Sequence, residues 1–172
     1  MPLDLLLHAL PEGSHALQLS EPASDLDILL PEGDALTENV YLDLRIEARG
    51  PELICMGVAH APLSGHCTRC WDLIETELVG EMAFVLVRTE RPQDEEADDD
   101  YEFVSAHALV YPCEDRVRET LTLAEPMARY CRPDCKGRCP KCFVNWNREA
   151  CDCTPVLGDS RWEGLRNLLG DA

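Results

Sequence analysis

An α+β fold is what this sequence predicts: an antiparallel β-meander, one or two short helices, and a cysteine-rich module at the C-terminal end. Three observations carry that expectation. Residues 40–49 alternate apolar and polar, Glu114–Ala124 has helical spacing, and six cysteines crowd into the 23 residues from Cys131 to Cys153. The 172 residues, 45% of them hydrophobic, suffice for a buried core. They suit one domain, or one domain with a small appendage.

Residues 1–38 are apolar and acidic, punctuated by Pro11-Glu-Gly and Pro31-Glu-Gly, and offer no clear motif. The stretch Val40–Arg49 places Val40, Leu42, Leu44, Ile46 and Ala48 on one face, the period of a half-buried strand. Gly50-Pro51 makes the turn. Leu53–Ala59 returns as a second strand, and Gly57 inside it predicts a bulge or a close backbone approach. The turn Cys67-Thr-Arg-Cys70 then falls at a strand end or hairpin tip, where both thiols are expected to be presented rather than buried. Leu73–Val87 is a third, long strand and Phe103–Val110 a shorter fourth.

Asp94–Glu102 carries seven acidic groups in nine positions. Self-repulsion predicts a solvated, mobile loop over about residues 89–102. In Glu114–Ala124, acidic residues sit in the first turn, Val117, Leu121 and Ala124 share a face, and Pro126 stops the helix. A second helix is expected over Asp159–Leu169. Ser160 and Glu163 form its capping box, and Trp162, Leu165 and Leu169 its apolar stripe. The chain thus divides into an acidic β-rich domain, 1–125, and a metal-binding module with a terminal helix, 126–172.

Eight of the ten cysteines have metal-ligand spacing: Cys67-x2-Cys70, Cys131-x3-Cys135-x3-Cys139-x2-Cys142 and Cys151-x-Cys153. Two thiolates three apart on a tight turn can address one tetrahedral Zn²⁺, and two such turns complete a four-thiolate site. In Cys139-Pro-Lys-Cys142, proline fixes φ at the first corner and the following N–H groups can turn toward sulfur. One or two zinc ions are the expected cofactor, and one site contains Cys139 and Cys142. The pairing stays open. Cys67 and Cys70 can join Cys131 and Cys135 and leave Cys139, Cys142, Cys151 and Cys153 for a second site. Alternatively, one ion takes four of the C-terminal six.

Disulfides, redox thiols and iron–sulfur ligation are the competing readings. The N-terminus shows no basic, then apolar, export signal, and no run approaches the roughly 18–20 apolar residues of a membrane span. The expected compartment is the cytoplasm, whose reducing poise disfavours structural disulfides. Cys55 and Cys113 lack a near partner and are expected to be small buried apolar residues. His66 reads as a plain loop histidine before it reads as an alternate ligand.

Catalytic signatures are missing. The sequence has no G-x-G-x-x-G, no G-x-x-x-x-G-K-[ST], no H-E-x-x-H and no G-x-S-x-G, and its five histidines are scattered. A catalytic zinc keeps an open position with a general base nearby, whereas this chain has more thiols than one ion needs. The expectation is a protein that is not an enzyme, with no small-molecule substrate and no membrane association.

Net charge is −18, unevenly spread. From Pro126 to Ala172 there are eight Lys/Arg against six Asp/Glu, leaving seven against 27 in the rest. Arg132, Lys136, Arg138, Lys141 and Arg148 interleave with the thiols and would sit on the outside of the module. Part of that charge offsets the −2 of a zinc tetrathiolate. These five residues form the basic surface of the chain and are the expected contacts to an anionic partner such as nucleic-acid phosphate, the acidic body facing away from it or toward a basic protein.

Taken in order, the strand region, Cys67-Thr-Arg-Cys70, the acidic insert and Leu121-Thr-Leu-Ala-Glu-Pro126 precede Cys131-Arg-Pro-Asp-Cys135-Lys-Gly-Arg-Cys139-Pro-Lys-Cys142. Asn145-x-Asn147, Cys151-x-Cys153 and Asp159-Ser-Arg-Trp-Glu-Gly-Leu follow. This arrangement, over roughly Val40 to Leu169, resembles the YceD-like family of large ribosomal RNA subunit accumulation proteins. The resemblance implies a ribosome-biogenesis factor that supports synthesis, processing or accumulation of large-subunit ribosomal RNA. Its implied partners are that RNA or a basic ribosomal protein, with Arg132, Lys136, Arg138, Lys141 and Arg148 as the expected contacts. One departure stands out: Phe143 occupies a knuckle position usually held by Gly, so a left-handed backbone there would be strained. A zinc-dependent thiol redox chaperone or sensor is the rival reading, since it too pairs C-x-C with C-x2-C.

Overall fold

In the computed structural model, residues 3–90 and 101–153 are described. Eight strands and one α-helix follow in order: β1 (Asp4–Leu6), β2 (Gly13–Pro22), β3 (Ala35–Leu36), β4 (Asn39–Arg49), β5 (Glu52–His66), β6 (Leu73–Thr89), β7 (Tyr101–Ser105), β8 (Val110–Pro112) and α1 (Glu114–Ala124). The main sheet runs β2-β4-β5-β6-β7, with β3 also on β5, and β1 pairs β8 separately. The α+β class stands.

Period-two alternation builds the core as expected. Val40, Leu42, Leu44, Ile46 and Ala48 are all buried. The antiparallel register sets Leu42 opposite Ala59, Ile46 opposite Cys55 and Ala48 opposite Leu53. On the next strand, Phe84 and Leu86 lie opposite Cys55 and Leu53. Leu3, Leu5, Leu7, Val117 and Leu121 close this face into one core. A Cβ on Gly80 would lie 2.6 Å from Thr120 of α1, so only glycine lets the helix settle there. Gly57 is a close approach and not a bulge. The β4–β5 register is unbroken through it, and a Cβ would stand 2.9 Å from the Asp43 carbonyl oxygen.

Several expectations are corrected. Residues 1–38 contain a ten-residue strand, β2, paired with nearly all of β4. The sheet is mixed and not purely antiparallel, because β7 runs parallel to β6. A parallel pair needs a crossover of about a dozen residues, and Thr89 and Tyr101 are 12 positions apart in the sequence. The second strand extends to His66; Pro62 is tolerated because it falls between the β3 and β4 pairings, where no ladder bond needs its N–H. The stretch Phe103–Val110 is two strands split by a turn, in which Ala108 N donates to Ser105 O at 2.9 Å.

Glu102 also departs from the solvated-loop reading. It lies on β7, ion-paired to Arg116 of α1 and accepting the Tyr111 hydroxyl. Thr89, too, is strand rather than loop. The remaining acidic stretch, 91–100, and the expected helix Asp159–Leu169 lie outside the described residues. Cys55 and Cys113 are fully buried as expected, and burial pushes both thiols up to about 12. No helix among the described residues is long and apolar enough to cross a membrane.

Candidate metal centre

Each C-x2-C turn folds into the same knuckle. Trp71 N donates to Cys67 O at 2.8 Å and Cys67 N donates to Asp72 O at 2.9 Å. In the second turn, Phe143 N donates to Cys139 O at 3.0 Å and Cys139 N to Val144 O at 2.9 Å. The residue after the last cysteine takes left-handed backbone in both, φ 64° at Trp71 and 60° at Phe143. The strain expected at Phe143 is therefore present, and it recurs at Trp71.

These knuckles gather eight thiols into two sets: Cys67, Cys70, Cys131 and Cys135, and Cys139, Cys142, Cys151 and Cys153. Within each set all sulfurs lie within 4.8 Å of one another. Cys67 Sγ is 3.8 Å from Cys135 Sγ, and Cys70 Sγ is 3.6 Å from Cys131 Sγ. A disulfide needs about 2.05 Å. Four thiolates at about 2.3 Å around one tetrahedral ion stand about 3.8 Å apart. The spacing fits one ion per set. His66 belongs to neither; it ends β5 and stacks on Trp71 at 5.0 Å.

The expectation that Cys67 and Cys70 are presented is overturned, since both are wholly buried. The segment leading to Cys131 is anchored beside them. Arg129, 9% exposed, ion-pairs with Asp34, whose side chain is 3% exposed. The Arg129 carbonyl accepts from Thr68 N at 2.8 Å and Thr68 Oγ1 at 3.0 Å. Arg69 donates to Cys135 O at 3.3 Å and lies 4.1 Å over the Tyr130 ring.

Backbone and side-chain donors make thiolates available in both sets. Burial raises the Cys67 thiol, but the N–H groups of Cys70, Cys131 and Arg69 outweigh it and hold it at about 6. The N–H groups of Cys142 and Lys141 bring Cys139 to about 6, and Lys141 N lies 3.4 Å from its sulfur. The Asn147 amide, 3.3 Å away, lowers Cys135. Burial pushes Cys70 up to about 12, and a hydrogen bond shared with Cys142 does the same to Cys153. A divalent cation would displace the protons these raised thiols retain.

Asp72, Asn145 and Asn147, to which sequence reasoning assigned no role, hold the two sets together. Asn145 Nδ2 donates to Asp72 Oδ2 at 2.9 Å, and Arg148 reaches Asp72 Oδ1 at 3.2 Å. Asn147 Oδ1 accepts from Lys136 N at 2.8 Å and Arg132 Nη2 at 2.9 Å. The Asn-x-Asn spacing was the available signal. Of the five expected contact cations, Arg132, Lys136, Lys141 and Arg148 are exposed, whereas Arg138 is half-buried. Arg132 is engaged by Asp134 at 3.4 Å.

A β-sheet body carrying two knuckle-built tetrathiol sets defines a protein with a candidate structural metal module. The YceD family, large ribosomal RNA subunit accumulation proteins, matches residues 56–169, and this chain belongs to it. Proteins of Mycobacterium tuberculosis and Mycobacterium bovis, each called an uncharacterized protein, are 28% identical to it over 129 residues. The match covers 75% of this chain and 61% of theirs, so the chain spans less than two thirds of those relatives' length. No solved structure gives a significant match.

Proposed function

We propose that this chain is a cytoplasmic, non-enzymatic ribosome-biogenesis factor that supports accumulation of large-subunit ribosomal RNA through a module cross-linked by two zinc ions. The carrying observation is the pair of four-thiol sets, each compact enough for a single ion. An iron–sulfur cluster would hold its cysteines further apart, because several iron and sulfide atoms lie between them. Four thiolates per ion leave no position for an activated water, so bound zinc would supply cross-linking and no hydrolytic chemistry. The family name supplies the ribosomal link.

Lys136 and Lys141 are the best candidates for phosphate, since no carboxylate pairs with either among the described residues, while Arg132 and Arg148 already have partners. With so few uncommitted cations among the described residues against a net charge of −18, a basic ribosomal protein suits the body better than RNA does.

Elemental mass spectrometry on protein purified without added metal, with its visible spectrum, tests the zinc reading. Two zincs per chain and no colour are expected; iron with a charge-transfer band would overturn it. Depleting the protein in its own cells should lower large-subunit ribosomal RNA relative to small-subunit RNA. Equal levels would remove the ribosomal reading. Ejection of zinc by peroxide, with the onset of aggregation suppression, would favour the redox-chaperone rival.

A further inference from the structure

Among the described residues, one face of the main sheet is closed and the other is left uncovered. On the other, alternate residues of β4, β5, β6 and β7 stay exposed or half-exposed. The register lays them out in rows: Arg45, Met56 and Ala83; Asp43, Val58 and Glu81; Ile54, Val85 and Tyr101; Glu52, Val87 and Phe103. Met56 is 47% exposed, Val79 49% and Tyr101 44%. Contiguous apolar surface of this kind, rimmed by polar groups, marks an interaction site more often than scattered exposed side chains do.

A groove of about 670 Å³ runs through the centre, lined by Ala16, Asp43, Met56, Val58, Glu81 and Ala83, among others. The small side chains of Ala16 and Ala83 make it a depression, and Asp43 and Glu81 stand opposite each other across Val58. Asp43 is held in place: Gln18 donates to it at 2.7 Å, and His60 lies 3.6 Å away. His60 also reaches Glu77 at 2.8 Å, on the same face. Arg45 and Arg49 are the lysine or arginine residues that this face sets against Asp43, Glu47, Glu52, Glu75, Glu77 and Glu81.

The geometry points to this open face as a docking surface for a basic protein segment with interspersed apolar side chains. Its Lys or Arg stems would lie along Met56 and Ala83, with their cations between Asp43 and Glu81. Charge complementarity selects this occupant. A second copy would bring identical carboxylates together across a two-fold axis, each chain carrying −18. RNA would meet the same repulsion. The chain's own segment 159–169 has two acidic and two basic residues and gains nothing from the rim.

The test uses the full chain and short fluorescein-labelled peptides, one alternating lysine and valine and one alternating lysine and serine, read by anisotropy. The lysine–valine peptide should bind on the order of tenfold tighter, equivalent to about 1.4 kcal/mol. Met56→Ala should weaken it severalfold with its salt dependence kept, and Glu81→Gln should weaken it while flattening the salt dependence. Both positions are exposed, and far-UV circular dichroism verifies each variant's fold. Equal binding of the two peptides, or variants indistinguishable from the parent, would overturn the proposal. So would a single-stranded RNA that competes for this face, or parent dimers that Met56→Lys dissociates. The readout involves neither metal content nor ribosomal RNA levels, so its failure leaves the preceding function standing.

Discussion

The two thiol sets share a knuckle and differ in burial and in the length of chain they span. Cys67, Cys70 and Cys135 are buried, and their set joins residues 61 and 68 positions apart, from the end of the long β5–β6 hairpin to the segment after α1. The second set lies within residues 139–153, with Cys142 exposed and Cys151 and Cys153 half-exposed. An ion bound in each set would therefore close loops of very different length. By loop-closure entropy alone, joining ends 61 residues apart rather than the nine between Cys142 and Cys151 would restrict the unfolded chain by roughly 1.7 kcal/mol more. The first set would then tie the segment after α1 to the β5–β6 hairpin. The second would shape only residues 139–153.

Removing a ligand from each set breaks that comparison most directly. Cys67→Ser and Cys151→Ser should each lower the metal count from two to one. Cys67→Ser should also cost several kcal/mol in thermal unfolding of the body, a fraction of the roughly 10–16 kcal/mol typical of structural zinc binding. Cys151→Ser should leave that transition in place. Metal counting and circular-dichroism melts on both variants check this, and equal melting losses would erase the distinction.

The link between the sets gives a smaller effect. Asp72→Ala removes the acceptor of both Asn145 and Arg148, at a cost of about 1–2 kcal/mol. Chelator competition should then extract the second ion faster while the first is held at its former rate. Loss of both ions together would mean that the sets behave as one unit.

Backbone strain gives the smallest. Phe143→Gly should stabilise the chain by roughly 0.5–1 kcal/mol, as relief of left-handed strain outweighs glycine's extra unfolded-state entropy. Trp71→Gly relieves the same strain but forfeits the stack on His66, so its denaturant midpoint should move less than that of Phe143→Gly. Equal shifts would show that the stack contributes nothing.

Much of this architecture was legible where the signal is local. The alternation of Val40–Ala48 marked β4, and Glu114 to Ala124 bounded α1. Gly57 marks either a bulge or a close approach in the sequence, and the structure makes it the close approach. The strand β2 is hard to read because its core face carries Gly13, His15 and Glu21 beside Leu17 and Leu19, and its burial depends on a partner further along the chain. Glu102 is indistinguishable from its acidic neighbours in the sequence, since only its partners Arg116 and Tyr111 set it apart. The matching knuckles could have been caught from Cys67–Trp71 and Cys139–Phe143, each a C-x2-C followed by an aromatic residue.

By itself the sequence determined the donors and the turns that aim them, because thiol spacing and backbone period act over a few residues. It also determined the uneven charge, which depends on composition alone. Tertiary structure decided which thiols meet. Nothing local distinguishes Cys131 as a partner for Cys67 rather than for Cys151; the choice follows from where β5, β6 and α1 deliver their ends, and from the buried Arg129–Asp34 pair that holds the arriving segment. It likewise decided that Cys67 and Cys70 are buried, since burial belongs to the assembled chain rather than to the turn that carries them.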